Sequence, residues 1–260
     1  MLGYRDSGMS GNPAIRCLRH SAEAALSTVV KSLTPGAAVL DIGCQGWRPY
    51  RLACTLGRAD LRHAGCDCQE EASPPGAEFR MADLRSQALP WPDDSFDCVV
   101  LSHVLEHLHD PNAAFGEAVR VCRPGGIVFV EMPSDRSTLF SLPWAQHLHL
   151  LLSYWDDPTH VGRPFTPQAL YRMAVYWSCS TLVARYDQRL SDLLLFPLRL
   201  LAALWRHNPD ALVTAWWRAI GWSCYAILRK DPGITGKPAM RYFSFKGIRA
   251  GDLAAGRPPR

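Results

Sequence analysis

The sequence lacks the features that mark fibrous, intrinsically disordered and membrane-spanning proteins. It contains no low-complexity tract and no internal repeat, and no uncharged apolar run approaches the ~20 residues of a membrane-spanning helix. Its first residues, MLGYRDSGMSGNPAIRCLRH, do not contain the apolar core of a signal peptide. Of the 260 residues, 48% are apolar and 20% are charged, close to the averages of globular proteins. This length and composition favour one substantial α/β domain with elaborations, because two complete domains would be cramped.

Cysteine spacings typical of disulfide frameworks and metal-binding motifs are also missing. The nine cysteines are an odd number and lie singly along the chain, except for Cys66 and Cys68. Those two are too close in sequence to form a disulfide easily, and their spacing matches no common metal motif. We therefore expect reduced cysteines and a cytoplasmic protein.

The small net charge of +4 conceals an uneven distribution along the chain. Residues 1–184 hold 15 basic and 19 acidic residues, a net charge of −4, whereas residues 185–260 hold 13 and 5, a net charge of +8. A basic carboxyl-terminal third can face anionic lipid, an anionic substrate or nucleic acid, and it can equally be a solvated surface. Charge alone does not choose among these alternatives.

Short apolar segments alternate with helical patterns along most of the chain. Asn12 and Pro13 predict the start of an amino-terminal helix that runs to Leu33. Further helices are predicted over residues 49–56, after Asp110-Pro111 and after Thr166-Pro167. The predicted strands are 37–42, 61–66, 79–81, 96–101, 127–132, 180–185 and 224–228. This order predicts a parallel sheet covered on both faces, with ligands at the carboxyl ends of its strands.

Six motifs, in this order, carry a resemblance to a known family. The first is Val39-Leu40-Asp41-Ile42-Gly43-Cys44-Gln45-Gly46. The others are Gly65-Cys66-Asp67, Ala82-Asp83-Leu84, Leu89-Pro90-Trp91-Pro92-Asp93-Asp94-Ser95-Phe96-Asp97, Val104-Leu105-Glu106-His107 and Arg123-Pro124-Gly125-Gly126. Over most of residues 36–185 the chain resembles class I S-adenosylmethionine-dependent methyltransferases, in particular the type 11 branch that acts on small molecules and glycans. The resemblance implies a Rossmann-like α/β fold, with seven mostly parallel strands, helices on both faces and a helical insertion before the last strand.

The same resemblance implies S-adenosylmethionine as the cofactor, and the chemistry of the residues agrees. Glycines after the first strand let the backbone approach a ligand, and Asp67 can accept both hydroxyls of an adenosine ribose. Asp83 can accept from an adenine amino group, and the resemblance places Asp41 near the methionine part of the cofactor. The candidate cofactor-binding residues are Asp41, Gly43, Cys44, Gly46, Asp67, Asp83, Leu84 and Ser102.

Two alternatives stay open at the glycine turn. A nicotinamide dinucleotide would need a Gly-x-Gly-x-x-Gly turn, whereas only Gly43-x-x-Gly46 is present. The methyltransferase turn usually reads Gly-x-Gly-x-Gly, but Gln45 and Trp47 stand at the second and third of these positions. The missing glycines admit a degenerate cofactor-binding or scaffold domain without catalysis.

Two histidines follow the fourth predicted strand. His103, Glu106 and His107 have the i, i+3, i+4 spacing that can hold a divalent metal on one helical turn. In the family, however, the Glu-His pair occurs as a packing and hydrogen-bonding pair without metal, so we assign no metal. His103 directly follows Ser102 and is the better candidate for contact with substrate. Both histidines are counted as candidate catalytic residues.

Residues 133–168 interrupt the alternation of strands and helices and are rich in Trp, His and Pro. The stretch from Asp156 to Thr166 resembles the segment that closes over the acceptor in methyltransferases of small molecules and polysaccharide pathways. His160 in this stretch is the preferred general base, with a loop-ordering role as the alternative, and Arg163 can hold an anionic acceptor. Candidates to line an apolar acceptor pocket are Trp144, Tyr154, Trp155 and Phe165.

These observations predict one methyltransferase domain over residues 36–230, a helical segment over 1–35 and a tail over 231–260. We expect the enzyme to methylate a small-molecule or glycan- or lipid-linked acceptor, at oxygen. Nucleic acid is not an expected partner, because neither an Asn-Pro-Pro-aromatic nor an Asp-Pro-Pro-aromatic motif follows the fourth strand.

Residues 190–222 form an apolar and basic insertion that the sequence alone leaves open to two interpretations. Pro197, Arg199, Arg206 and Asp210 interrupt it, so it is too broken to span a bilayer. One interpretation is a helical hairpin that packs on the domain as a lid or as the face of a homodimer. The other is an interfacial helix that rests on an anionic membrane and presents a lipid-linked acceptor. The expected location is the cytoplasm, with peripheral membrane contact under the second interpretation.

Overall fold

A computed structural model describes residues 21–139 and 150–232, which form a seven-stranded sheet. The strands are β1 (Ala38–Ile42), β2 (Arg62–Asp67), β3 (Glu78–Met81), β4 (Phe96–Ser102), β5 (Cys122–Pro133), β6 (Cys179–Tyr186) and β7 (Ser223–Lys230). Their order across the sheet is β3-β2-β1-β4-β5-β7-β6. β1 to β5 pair in parallel, and β7 pairs antiparallel with both β5 and β6.

The described helices alternate with the strands and cover the sheet. They are α1 (Ala22–Ser32), α2 (Arg48–Thr55), α3 (Pro111–Val121), α4 (Pro167–Tyr176), α5 (Leu190–Leu194), α6 (Phe196–Trp205) and α7 (Pro209–Ile220). The last three lie between β6 and β7, where the sequence predicts an insertion. The predicted fold, a mostly parallel Rossmann-like sheet with this insertion, is therefore confirmed.

The predicted amino-terminal helix is wrong at Ser21. Its φ of −119° and ψ of 158° are extended, and its side chain accepts a hydrogen bond from the Ala24 amide, so α1 begins at Ala22. A serine that caps a helix competes with continuation of that helix through its own position. Asn12 and Pro13, the predicted start, lie outside the described residues.

Two apolar clusters, one on each face of the sheet, form the core. One contains α3, α4 and inward-facing residues of the strands. The other contains Leu26, Val29 and Val30 of α1, packed against Val39 of β1 and Val100 of β4. Burial on both faces explains why β1 and β4 are continuous apolar runs rather than alternating ones.

Two acids of the Asp93-to-Asp97 motif support the sheet rather than the ligand-binding edge. The Asp97 carboxylate accepts a hydrogen bond of 2.7 Å from the amide of Ala38, where β1 begins. Asp94 accepts one of 2.7 Å from the buried ammonium of Lys230, which also donates to the Cys122 carbonyl. Both contacts lie at the amino-terminal ends of β1 and β4, opposite the edge where a ligand is expected.

The described cysteines are all free, which agrees with the expectation of reduced thiols. Within the same part of the chain, none of the helices combines the length and the apolar character needed to cross a membrane.

Candidate functional site

The turn after β1 lies directly on the end of β2. The amides of Gly43 and Cys44 donate to the carbonyl of Cys66, over 2.8 and 3.1 Å. Gly43 has a φ of +73°, and a Cβ atom built on it would lie 2.4 Å from Cγ2 of Val104 in the loop after β4. Only glycine fits this left-handed, tightly enclosed position. The turn therefore brings the ends of β1, β2 and β4 together at one edge of the sheet.

Trp47 explains how the turn accommodates the departure from the Gly-x-Gly-x-Gly pattern. It adopts a left-handed φ of 48°, is buried, and its indole N–H donates to the carbonyl of Ala72. Its ring packs over Gly65, where an added Cβ would lie 2.7 Å from the ring and 2.8 Å from Sγ of Cys44. The side chains of Trp47 and Cys44 thus fill space behind the turn, and Gly65 in β2 makes room for them.

Three candidate acids lie at the carboxyl ends of β1, β2 and β3. Asp41 is buried, and burial raises its pKa well above the ordinary value, with the charge of Asp67 raising it further and that of Arg48 opposing. Asp67 is half-buried at the end of β2. The carboxylate of Asp83 forms a bidentate ion pair with Arg85, whose hydrogen bonds lower the pKa of that carboxyl. Asp67 accepts from the amide of Gln69 through Oδ1 and forms no ion pair with a described residue, whereas Asp83 must share both carboxylate oxygens with Arg85.

Arg48 and Glu131 are site residues that sequence reasoning missed. One guanidinium nitrogen of Arg48 donates to Glu131 over 2.5 Å and to the hydroxyl of Ser102 over 2.7 Å. The remaining guanidinium nitrogens bind Glu23 of α1. An acid at the end of the apolar run of β5 was the available signal for Glu131. The partner of this acid could not be predicted, because Arg48 lies 83 residues away in sequence.

His103 stands at the centre of this edge. It has a left-handed φ of 55°, and its amide donates to the carbonyl of Glu131. Its Nδ1 atom lies 3.1 Å from Oε1 of Glu106, and its side chain remains 40% exposed. Burial alone would lower the pKa of His103, but the hydrogen bond and charge of Glu106, with the charge of Glu131, raise it above its ordinary value. His103 is thus an accessible imidazole supported by a buried carboxylate.

His107 and His160 face each other on the far side of Glu106. Leu105–His107 is a single turn of 3-10 helix, so His103 and His107 do not share one helical face as the spacing predicts. His107 contacts Thr159, and the rings of His107 and His160 lie 5.0 Å apart. The side chain of His160 is only 6% exposed and stacks on Tyr154. Potential ligand atoms of Glu106, His107 and His160 lie within 4.8 Å of one another, so the structure brings a histidine of the covering segment near Glu106.

The covering segment is anchored at two places. Phe165 forms an isolated bridge with Ser134 beside the end of β5. The amides of Val161 and Gly162 donate to the carbonyl of Glu106, and the hydroxyl of Tyr154 donates to the carbonyl of Gly162. Among the predicted pocket residues, Tyr154 is buried, Trp155 is 63% exposed and Phe165 packs on the core. Trp144 lies outside the described residues.

The remaining candidate residues occupy the same edge. Cys44 is buried, which raises the pKa of its thiol to about 12. Leu84 packs partly buried on the core, and the amide of Gly46 donates to the carboxylate of Glu71. Arg163, the predicted anion-binding residue, is exposed in the covering segment.

A separate cavity of about 410 Å³ lies at the opposite edge of the sheet, away from these residues. It is lined by α1 and by residues such as Asp97, Gly126 and Arg229 at the other ends of the strands. None of the candidate site residues lines it. This cavity therefore plays no part in the candidate site.

The sequence of residues 40–130 matches a protein family described as a methyltransferase domain. Over these residues the chain is therefore similar to methyltransferase domains. This confirms the resemblance seen in the motifs, and the family uses S-adenosylmethionine.

Two curated relatives are similar to about half of the chain. Demethylmenaquinone methyltransferase of Thermus thermophilus is 29% identical over 130 residues, which cover 50% of this chain and 52% of the relative. Malonyl-[acyl-carrier protein] O-methyltransferase of Hahella chejuensis is 32% identical over 148 residues, covering 53% and 48%. The chain thus spans about half the length of these relatives.

A solved structure extends the similarity in fold over most of the chain. The S-adenosylmethionine-dependent methyltransferase from Mesorhizobium loti has a TM-score of 0.56 and 16% identity, covering 82% of this chain and 100% of that one. At this identity the similarity shows the shared fold. The shared fold therefore extends beyond the residues matched in sequence.

Proposed function

We propose that this protein is an S-adenosylmethionine-dependent methyltransferase that methylates a small-molecule or glycan- or lipid-linked acceptor at oxygen. The observation that carries the proposal is the position of His103. It is an exposed imidazole, backed by the buried carboxylate of Glu106, and the neighbouring Val104 touches the Gly43 turn. A candidate base is therefore adjacent to the candidate cofactor turn.

The residues at the edge of the sheet fit the cofactor in two respects. Gly43 gives the turn after β1 a left-handed conformation that packs closely against Val104, and Asp67 offers a half-buried carboxylate at the end of β2. The candidate set around them is completed by Asp41, Cys44, Gly46, Asp83, Leu84 and Ser102. The cofactor, when bound, supplies an electrophilic methyl group on a sulfonium. What the protein must add is alignment, exclusion of water and, for a hydroxyl acceptor, removal of a proton.

His103 is better placed than His160 for removal of that proton. Its Nδ1 atom is held by Glu106, which leaves Nε2 to accept a proton and stabilises the resulting imidazolium. His160 is almost fully buried, stacks on Tyr154 and directs Nδ1 at the Tyr154 carbonyl. We therefore assign the role of general base to His103 and an ordering role to His160 and His107. The name of the Hahella relative specifies methylation at oxygen, which supports a hydroxyl or carboxylate acceptor.

Calorimetric titration with S-adenosylmethionine and its demethylated product tests the proposal. We expect saturable binding of both, and transfer of labelled methyl groups to at least one hydroxyl-bearing acceptor in a panel of lipid-linked and soluble candidates. The His103→Asn variant should bind the cofactor normally and lose about 10²- to 10⁴-fold in turnover. A folded protein that binds neither cofactor form would instead support the degenerate scaffold.

The helices α5 and α6 carry an exposed apolar surface. Eight large apolar side chains lie at least 42% exposed on these two helices and the residues at their ends, with Trp205 at 87%. They are Leu190, Leu193, Leu194, Leu195, Leu198, Leu201, Leu204 and Trp205. Monomeric globular proteins rarely expose so much contiguous apolar surface without a partner.

We infer that an anionic bilayer is this partner. Arg199, Arg206 and Arg218 line a cleft of about 420 Å³ between α6 and α7. Arg199 pairs with Asp192, whereas Arg206 and Arg218 have no ion-pair partner among the described residues. Cationic side chains beside an apolar helix face are the pattern of a helix that lies in the membrane interface. This position would bring a lipid-linked acceptor to the protein, and a homodimer through the same face is the competing outcome.

A further inference from the structure

We propose that Glu106, His107 and His160 form a binding site for one divalent transition-metal ion of the zinc type. One potential ligand atom of each residue lies within 4.8 Å of the other two. The three residues come from the turn after β4 and from the covering segment, so a bound ion would tie these two parts of the site together. The proposal does not depend on the proposed methyl transfer.

Glu106 provides the first argument. Its side chain is only 1% exposed, and Oε1 accepts a hydrogen bond from His103. The other oxygen, Oε2, is buried and has no hydrogen-bond partner among the described residues. Burying a carboxylate oxygen away from water without a hydrogen-bond partner costs free energy of folding, and a cation bound at Oε2 would offset that cost.

The hydrogen bonds of the two imidazoles provide the second argument. Nδ1 of His160 lies 2.8 Å from the carbonyl oxygen of Tyr154, which can only accept, so Nδ1 carries the proton. The hydroxyl of Thr159 donates to Asp157 over 2.6 Å, and its oxygen can therefore accept from Nδ1 of His107, 3.0 Å away. Both rings are thus held in the tautomer that leaves Nε2 with a free lone pair. Metal-binding histidines are oriented in this way, by a carbonyl or carboxylate on the other ring nitrogen.

The ligand set points to zinc rather than magnesium. Two imidazoles and one carboxylate are ligands for Zn²⁺ at about 2.0–2.2 Å, whereas Mg²⁺ prefers oxygen ligands. Tetrahedral ligands at this bond length lie about 3.3 Å apart, so the three side chains must close by up to about 1.5 Å. Three protein ligands leave a fourth position for water or for an oxygen of the acceptor.

This site differs from the one that the sequence spacing offers. Nδ1 of His103 points at Oε1 of Glu106, so His103 orients this ligand and does not bind the metal itself. The second histidine ligand is instead His160, which lies 54 residues from Glu106 in sequence. Oδ2 of Asp157 lies 3.8 Å from Nε2 of His160. A protonated His160 paired with Asp157 is thus the competing arrangement, in which no metal binds.

The test uses the full-length protein, stripped with a chelator and titrated with Zn²⁺ against a chromogenic indicator. We expect one tight equivalent, at least tenfold weaker in His107→Ala, in His160→Ala and in Glu106→Gln. His109→Ala is the matched control, because His109 is exposed on the same loop and outside the cluster. Thermal unfolding of each variant checks that it is folded. If Glu106→Gln does not fold, the two histidine variants still test the proposal.

Co²⁺ substitution separates this site from adventitious binding by the cysteines. Ligation by two nitrogens and one oxygen gives visible d–d bands without a thiolate charge-transfer band. Absence of saturable binding, equal affinity in all variants or a thiolate band would each overturn the proposal. Because the readout is metal affinity, it stays informative even if methyl transfer is never detected.

Discussion

Nδ1 of His103 and Oε1 of Glu106 lie 3.1 Å apart, so the exposed imidazole at the end of β4 is held by a carboxylate that is almost completely buried. The left-handed backbone of His103 and the 3-10 turn that follows set this contact. Charge on Glu106 favours the protonated imidazole and outweighs the effect of burial, so the pKa of His103 is raised. The strength of this pair can be measured without knowledge of the acceptor.

The pKa of His103 should fall in the Glu106→Gln variant. Glutamine keeps the shape of the side chain but removes the negative charge, which leaves burial to lower the pKa. Titration of the imidazole C–H resonances by NMR measures the change, with His109 as the internal control. An unchanged His103 resonance in a folded variant would contradict the assigned role of Glu106.

The same pair makes stability depend on pH. Because the pKa of His103 is higher in the folded than in the unfolded chain, protonation stabilises the folded state. This contribution is complete below the unfolded pKa and is lost as the pH rises through the folded pKa. Urea unfolding across that range should show a stability difference between the wild type and His103→Asn that shrinks as the pH rises.

Asp67→Ala should weaken S-adenosylmethionine binding by about 1–3 kcal/mol, roughly 5- to 150-fold in Kd. The carboxylate at the end of β2 is placed to accept from both ribose hydroxyls. Calorimetric titration measures the loss, and Asp210→Ala, which removes an exposed carboxylate from α7, is the control. Equal affinity of Asp67→Ala and wild type would refute the ribose assignment.

Lys230→Met should destabilise the fold by about 1–3 kcal/mol. Lys230 is 2% exposed and donates to Asp94 and to the carbonyl of Cys122, which methionine cannot do. Urea unfolding measures the difference, and Lys31→Met, at an exposed lysine near the end of α1, should have little effect. If Lys230→Met lowers the free energy of unfolding as little as Lys31→Met does, water must take over the hydrogen bonds that the Lys230 ammonium donates.

Sedimentation with anionic vesicles should depend on α6. The double variant Leu198→Glu/Leu201→Glu places two charges on the exposed apolar face and should bind at least about tenfold more weakly. Binding should also fall as salt is raised. Met81→Glu/Leu182→Glu adds the same charge at two other exposed apolar side chains and should bind like the wild type.

A different result would identify the competing outcome for this face. In this outcome the protein does not bind vesicles but forms a concentration-dependent dimer, and Leu198→Glu/Leu201→Glu disrupts that dimer. The apolar face would then bind a second copy of the chain. Analytical ultracentrifugation of the wild type and the double variant measures this.

Local signals in the sequence were enough for most of the elements. The helices after Asp110-Pro111 and Thr166-Pro167 begin where predicted, because each cap is completed by an amide three residues ahead. The seven strands lie within a few residues of their predicted bounds, except that β5 begins earlier, at Cys122. Ser21 shows the limit of such signals, because it caps the start of α1 at a position inside the helix that the sequence predicts.

The candidate site needed contacts that no local pattern encodes. The sequence by itself determined that Asp41 and Asp67 lie at the ends of strands and that His103 directly follows one, and a parallel sheet then brings strand ends to one edge. Only the tertiary structure decided that β7 runs antiparallel between β5 and β6, that Arg48 binds Glu131, and that His160 meets Glu106. The reason is physical: caps and strands depend on neighbours a few residues away, whereas these pairings depend on the order of strands in the sheet and on how the covering segment folds back over it.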